Sequence, residues 1–209
     1  MKKILLGLLC ATTLFTTAGL TASAADTDNP KPQISKGTVE FLQGGLTIDN
    51  GATDLTAASL DFGSNKIEAA KAGDKEYRYA NKNTKAAITV SDLRGEGTGW
   101  QLHVKQNDVF KNDKATVNQE LTGAILTLNG VLDTDASTTG ADAKVRPNVP
   151  LNEVGSNHIL MGAAVGKGNG NNVADISGSK LTVPLKTARA VGIYSTTLTW
   201  NVVATPDNQ

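Results

Sequence analysis

The sequence predicts an all-β protein, an antiparallel β-sandwich with long loops and at most short helical turns. Three observations lead to this prediction. Short runs alternate between apolar and polar residues, which is the period of a strand with one buried face. Gly, Asn, Asp and Thr punctuate these runs, as they do in turns between strands. Helical periodicity is scarce, and the spacing of the runs suits two packed sheets.

The alternating runs are the predicted strands, and in each the successive side chains point to opposite faces. In Trp100–Gln106 the apolar face carries Trp100, Leu102 and Val104, and the polar face carries Gln101, His103 and Lys105. In Tyr194–Val203 one face carries Tyr194, Thr196, Leu198, Trp200 and Val202. The other predicted strands are Thr38–Phe41, Leu46–Ile48, Tyr77–Ala80, Ala87–Val90, Leu121–Leu128 and Leu181–Leu185.

The segments between these runs are predicted to be loops. Residues 133–150 contain few large apolar residues and two prolines, and residues 162–172 are rich in Gly and Asn. Both segments are therefore expected to lack regular structure. The sequence allows at most a helical turn or two, at 66–71 and 111–120.

The first 24 residues are typical of a secretory signal peptide. Lys2 and Lys3 precede an apolar run, and Ala22-Ser23-Ala24 is a small-residue cleavage site. The alternative, an uncleaved membrane anchor, fits less well because the run is short. Cys10 follows a leucine in the middle of the run, so we do not expect it to carry a lipid. Residues 25–36 read as a flexible leader, and residues 37–209 as one domain.

Composition and charge exclude several functional classes. The chain has 20 basic and 20 acidic residues, and 18 basic remain once Lys2 and Lys3 are removed. This near-neutral balance does not favour binding to nucleic acid or to an anionic membrane. The end of the chain, ATPDNQ, does not resemble a lipid or covalent wall anchor, so we expect any attachment to the cell to be non-covalent.

The residue patterns predict no catalytic centre, no metal and no cofactor. His103 and His158 have no second histidine or cysteine at metal-ligand spacing, and no GxSxG motif is present. The run GAAVGKG at 162–168 is one residue too short for a phosphate loop. The acidic groups around Asp133 and Asp26 lack the glycine and glutamate of a calcium loop. An enzyme whose site the sequence does not reveal remains the weakest of the alternatives.

Two signatures resemble those of the WxL domain family of surface proteins. The first comprises Asp92-Leu93-Arg94-Gly95 and then Gly99-Trp100-Gln101-Leu102-His103-Val104. The second runs from Tyr194 through Leu198-Thr199-Trp200 to Pro206, with Val202 where the family usually has Leu. Leu60-Asp61-Phe62-Gly63 and Leu121-Thr122-Gly123-Ala124 also fit. The similarity extends over about Gly37 to Pro206, and the chain is therefore identified as similar to a small WxL protein.

This resemblance implies a location and a role. WxL proteins are surface proteins of low-GC Gram-positive bacteria, and the domain attaches non-covalently to the cell wall. Peptidoglycan or another wall polymer is the expected ligand. The family also implies two alternatives, a membrane-anchored surface protein as partner in a multi-protein complex, and adhesion to a host matrix protein.

The two tryptophans are open to two interpretations. Aromatic rings stack on sugars and anchor protein interfaces, so Trp100 and Trp200 could form a binding surface. Each ring, however, shares its strand face with aliphatic residues, which favours the core between two sheets. The polar faces beside the rings and the long loops then become equal candidates for the contact surface. The polar faces comprise Gln101, His103, Lys105, Thr199 and Asn201.

Overall fold

The computed structural model describes residues 34–138, 140 and 142–208. The predicted signal peptide and most of the predicted leader lie outside these residues. The chain divides into two units, Met1–Glu40 and Phe41–Gln209. Residues 34–40 of the first unit have no regular secondary structure and are exposed. The second unit holds every strand of the described chain.

Twelve strands and two short 3-10 helices make up the described secondary structure, and the predicted all-β class is confirmed. The strands are β1 Leu46–Ile48, β2 Glu76–Ala80, β3 Ala87–Asp92, β4 Trp100–Gln106, β5 Ile125–Leu128, β6 Val131–Leu132, β7 Lys144–Val145, β8 Val149–Leu151, β9 Asn157–Ala163, β10 Gly170–Asp175, β11 Lys180–Pro184 and β12 Leu198–Val203. The 3-10 helices are Asp49–Gly51 and Thr56–Ala58.

The strands form three antiparallel sheets of four strands each. Their orders are β1-β3-β10-β6, β2-β11-β5-β8 and β12-β4-β9-β7. The first and third sheets approach each other at both ends, where β6 lies near β7 and β1 lies near β12. No named strand pairs across the β1–β12 gap in the described chain, so the two sheets leave a seam there.

The core lies on the inward faces of these sheets. Strand β4 shows the expected alternation, with buried residues at every second position from Trp100 to Gln106. Ile88, Leu102, Leu128, Leu160 and Met161 are among the largest buried side chains. Burial of such residues supplies the main driving force for folding in a chain whose described part contains no cysteine.

Several sequence predictions were wrong at the level of single elements. Thr38–Phe41 forms no strand, and neither 66–71 nor 111–120 contains a helical turn. The second of these is instead closed by a bridge between Lys111 and Glu120. The predicted strand from Leu121 begins only at Ile125, because Leu121 to Ala124 forms a hydrogen-bonded turn.

The loops predicted at 133–150 and 162–172 are partly strands. The first contains β7 and the start of β8, and the second overlaps the end of β9 and the start of β10. Strands β7 and β6 have two residues each, which is too short to show alternation. Asn171 and Asn172 disfavour strands in isolation, but β10 pairs with β3 along its whole length.

Candidate functional site

The two tryptophan motifs lie side by side in the third sheet. Strand β12 pairs antiparallel with β4, so that Val202 is opposite Leu102 and Trp200 is opposite Val104. Residues directly opposite each other in an antiparallel pair share one face. The apolar positions of both motifs therefore face inward together, and the polar positions face outward together.

Trp100 is a core residue. Its side chain is fully buried, and its indole Nε1 donates a hydrogen bond of 3.1 Å to the carbonyl oxygen of Gly168. The same oxygen accepts a second hydrogen bond of 2.8 Å from Nδ2 of the buried Asn172. Trp100 thus stabilises the glycine-rich loop between β9 and β10, and its ring is not available to a ligand.

Trp200 is only half-buried and lines a groove in the seam between β1 and β12. We call this cavity of about 660 Å³ the seam groove. Its rim and floor include Ile48 of β1, Leu198 and Trp200 of β12, and the buried residues Ala58 and Leu126. Trp100 therefore lies in the core, whereas Trp200 lies at the groove.

Two phenylalanines that were not considered as site residues from sequence also line the seam groove. Phe62 lies in the LDFG element, and its ring meets that of Phe110 edge-on, with centroids 6.3 Å apart. A second cavity of about 800 Å³ shares Phe62 and Phe110 with the first and continues to Tyr194. The Tyr194 hydroxyl bridges Asn118 and Ala190, so the tyrosine of the second signature holds two loops together.

The polar face of the third sheet is part-exposed on β4 and exposed on β12. It is defined here by Gln101, His103, Lys105, Thr199 and Asn201. Lys105 is opposite Thr199, and His103 is opposite Asn201. Three of the five side chains bind within the protein. Gln101 bonds to the Pro206 carbonyl at 2.9 Å and to His103, and Thr199 bonds to Asn107 at 2.9 Å. Lys105 and Asn201 have no side-chain partner among the described residues.

The Asp92–Arg94 element of the first signature is an ion pair that shapes the turn before β4. Arg94 donates two hydrogen bonds to the buried Asp92 carboxylate, at 2.9 and 2.7 Å, and a third to the Gly99 carbonyl at 3.0 Å. These bonds from the guanidinium lower the pKa of Asp92 against the opposing effect of burial. They also raise the pKa of Arg94. The pair is structural, since Asp92 is 2% exposed.

A second ion pair holds the end of the second signature. Arg146 bonds to both carboxylate oxygens of Asp207, at 3.0 and 3.1 Å, and the Asp207 amide bonds to the Ala163 carbonyl at 3.0 Å. With the bond from Gln101 to Pro206, these contacts fasten residues 206–207 across β4 and β9. The proline of the second signature is thus hydrogen-bonded to the first tryptophan motif.

The comparison with protein families agrees with this arrangement of motifs. The family model for the WxL domain, described as surface cell wall-binding, matches residues 21–206. The chain belongs to the WxL domain family. It is therefore a surface, cell-wall-associated protein that binds the wall. No curated protein and no solved structure matches the chain.

Within the WxL domain no group of three or more His, Cys, Asp or Glu side chains comes together as a possible metal site, as far as the described residues show. Asp133 accepts hydrogen bonds from the amides of Asp135 and Ala136, and Asp142 binds Lys167 at 2.6 Å. No helix of the described chain is long and apolar enough to cross a membrane.

Proposed function

We propose that this WxL protein is a secreted, non-enzymatic surface protein that attaches non-covalently to peptidoglycan of the Gram-positive wall. The observation that carries the proposal is the match of nearly the whole chain to a wall-binding domain. The signal-peptide pattern of residues 1–24 supports export. The carboxyl of Asp92, whose pKa is shifted, is bound by Arg94 and supports no acid–base role.

We assign the wall contact to the polar face of the third sheet. Lys105 offers a cation to the carboxylates of peptide stems, and Asn201 offers an amide to glycan hydroxyls and peptide groups. Both side chains are free of partners in the described chain, so no internal hydrogen bond has to be broken on binding. The face runs along two paired strands, and such an open surface suits a long polymer better than an enclosed pocket would.

Co-sedimentation with purified wall tests this proposal. Residues 25–209 should sediment with peptidoglycan, both with and without its secondary polymers. Replacing both residues (Lys105→Ala with Asn201→Ala) should weaken binding about tenfold, which corresponds to about 1.4 kcal/mol. Lys180→Ala on β11 removes the same charge from another sheet and should bind normally. Failure of the unaltered chain to sediment would reject the function, and equal loss in the control would reject the face.

A second candidate function is that of a subunit in a surface complex, binding a membrane-anchored partner or a host matrix protein. The observation that favours it is the seam groove, in which the half-buried Trp200 lies with Phe62 and Phe110. Aromatic side chains of this kind anchor protein interfaces. Mixing the chain with a partner's outer domain, with no wall present, distinguishes this function from wall binding.

A further inference from the structure

The second cavity, of about 800 Å³, has a buried floor and an exposed apolar rim. Two loops line it, residues 60–67 and 189–196, and we call it the loop cavity. Leu181 and Val183 of β11 are part of its buried floor. At the rim, Ile67 is 52% exposed, Val191 is 90% exposed and Ile193 is 85% exposed. Exposed apolar side chains that share one cavity are typical of binding sites, and the volume is that of a small-molecule site.

The backbone of the rim is fixed, although its apolar side chains are exposed. The amide of Ala190 donates a hydrogen bond of 2.8 Å to the Tyr194 hydroxyl. Nδ2 of the buried Asn112 donates one of 3.3 Å to the Val191 carbonyl. These bonds hold the loop on both sides of the exposed Val191 side chain. The rim therefore has its shape before a ligand arrives, which lowers the entropy cost of binding.

Arg189 lines the loop cavity and is positioned by neutral groups alone. Its guanidinium carbon lies 3.8 Å from the centroid of the Tyr77 ring. The guanidinium donates hydrogen bonds to the Tyr79 hydroxyl at 3.1 Å and to the Glu68 carbonyl at 3.2 Å. None of the ion pairs among the described residues includes Arg189. Because a guanidinium has five N–H donors, this fixed cation can still bind an anion.

A second cation, Lys66, lines the same cavity. Its side chain is exposed and forms no ion pair or hydrogen bond within the described part of the chain. Asp61 also lines the cavity, and its Oδ1 accepts a hydrogen bond of 2.8 Å from the Gly63 amide. The described lining thus carries two cations and one carboxylate, in a chain whose formal net charge is zero. This local excess of positive charge favours an anionic ligand.

We propose that the loop cavity binds an amphiphilic phosphate, a small molecule in which an apolar chain ends in a phosphate group. The apolar chain packs on the buried floor and against Val191 and Ile193, and the phosphate pairs with Arg189 and Lys66. The planar fork of arginine suits two phosphate oxygens, and lysine adds a point charge. None of these residues belongs to the polar face of the third sheet. The inference therefore goes beyond wall attachment.

Isothermal titration calorimetry of residues 25–209 with octyl phosphate tests the class of ligand. Binding should saturate at one molecule per chain. Octyl glucoside has the same chain with a neutral head, and inorganic phosphate has no chain. Each should bind at least about tenfold more weakly, because each lacks one half of the recognised structure. No binding of octyl phosphate, or equally tight binding of either comparison compound, would overturn the proposal.

Two variants test the cations. Arg189→Gln should weaken octyl phosphate binding at least about tenfold, and the exposed Lys66→Gln about threefold. Lys186→Gln is the matched control, because it is exposed and close in sequence but does not line the cavity. Arg189→Gln also loses its contacts with the tyrosines, so its unfolding free energy is measured as well. Unchanged binding in Lys66→Gln, or an equal loss in Lys186→Gln, would contradict the assignment whatever the stability of the arginine variant.

Methyl resonances in a nuclear magnetic resonance titration test the location. On addition of octyl phosphate, the methyl groups of Val183, Val191 and Ile193 should shift and saturate together, since all three line the cavity. Val165 is the control, because it is 66% exposed and lies outside the cavity lining. Shifts at Val165 without shifts at Val191 and Ile193 would overturn the assigned site.

Wall binding and ligand binding fail separately in these experiments. Lys66→Gln should still sediment with peptidoglycan, because the polar face is intact. The variant with Lys105→Ala and Asn201→Ala should still bind octyl phosphate. If no protein sediments with the wall while octyl phosphate binds, the proposed function is wrong and the loop cavity stands. If an amidated peptide of alternating Leu and Asp shifts the same methyl groups and octyl phosphate does not, the ligand is a polypeptide and the proposal fails.

Discussion

Leu102 of β4 lies directly opposite Val202 of β12, so the third position of one tryptophan motif packs beside the third position of the other. The two signatures are almost a hundred residues apart in the chain. Their pairing explains why an aliphatic residue is needed at both positions and why Val replaces Leu at position 202 without changing the face. The apolar residues of both motifs stabilise the third sheet, and only the polar residues of the motifs are available for binding.

Trp100→Ala is expected to lower the free energy of unfolding by about 3–5 kcal/mol, because it removes a fully buried ring. The hydrogen bond to Gly168 is lost with it. Trp200→Ala is the matched comparison, and its loss should be clearly smaller since that ring is half-buried. Urea unfolding followed by circular dichroism measures both values. Equal losses would contradict the separation of the two rings into core and groove.

Gly168→Ala should destabilise the protein by about 3 kcal/mol, through backbone strain and overpacking together. Gly168 has a φ of +74°, and an added Cβ would lie 2.3 Å from the Ala163 Cβ and 2.7 Å from the Trp100 Nε1. Gly166 has a φ of +77° with open space around it, so Gly166→Ala isolates the backbone term of about 1 kcal/mol. A similar loss in both variants, measured by urea unfolding, would show that the close contacts with Ala163 and Trp100 contribute nothing.

The strands with long apolar–polar alternation could be predicted from sequence. Short strands that form only because they pair with a neighbouring strand could not. The bounds of β4 were predicted at both ends because seven residues alternate without interruption. Strands β6 and β7 have two residues each, so no periodicity exists to detect. Thr38–Phe41 shows the opposite failure. Its pattern is that of a strand, but within the described chain no edge pairs with it.

Only the part of the candidate site that depends on the alternation of side chains along a strand could be predicted from sequence. Alternation placed Gln101, His103 and Lys105 on one face, and the register with β12 then brought Asn201 beside them. The seam groove could not be predicted from sequence. Phe62 and Phe110 meet in it, but they are distant in the sequence and no pattern indicates that their rings are in contact. The LDFG resemblance was the one available signal for Phe62.

Acidification should weaken the fold through Asp92. Arg94 holds the pKa of Asp92 below its usual value of 3.8, so the pair's contribution is fully present above that value. It is lost as the pH falls through the lower, folded-state pKa. Asp92→Asn should remove about 3 kcal/mol at neutral pH and flatten the pH dependence below about pH 4.

The measurement is the free energy of urea unfolding at a series of pH values, with the exposed Asp113→Asn as control. The control should follow the unaltered protein at every pH. If Asp92→Asn lost as much stability on acidification as the unaltered chain does, the pair with Arg94 would not be the source of the acid sensitivity.

Gly162→Ala should loosen the end of the second signature. A Cβ at position 162 would lie 2.6 Å from the Asp207 Cβ, and Gly162 is not at positive φ, so the effect is steric alone. We expect a loss of about 1–2 kcal/mol and faster hydrogen exchange at the Asp207 amide, which bonds to Ala163. In an Asp207→Gly background the obstacle is gone, and Gly162→Ala should then be nearly neutral. Additive losses in the double variant would exclude direct contact between the two positions as the cause.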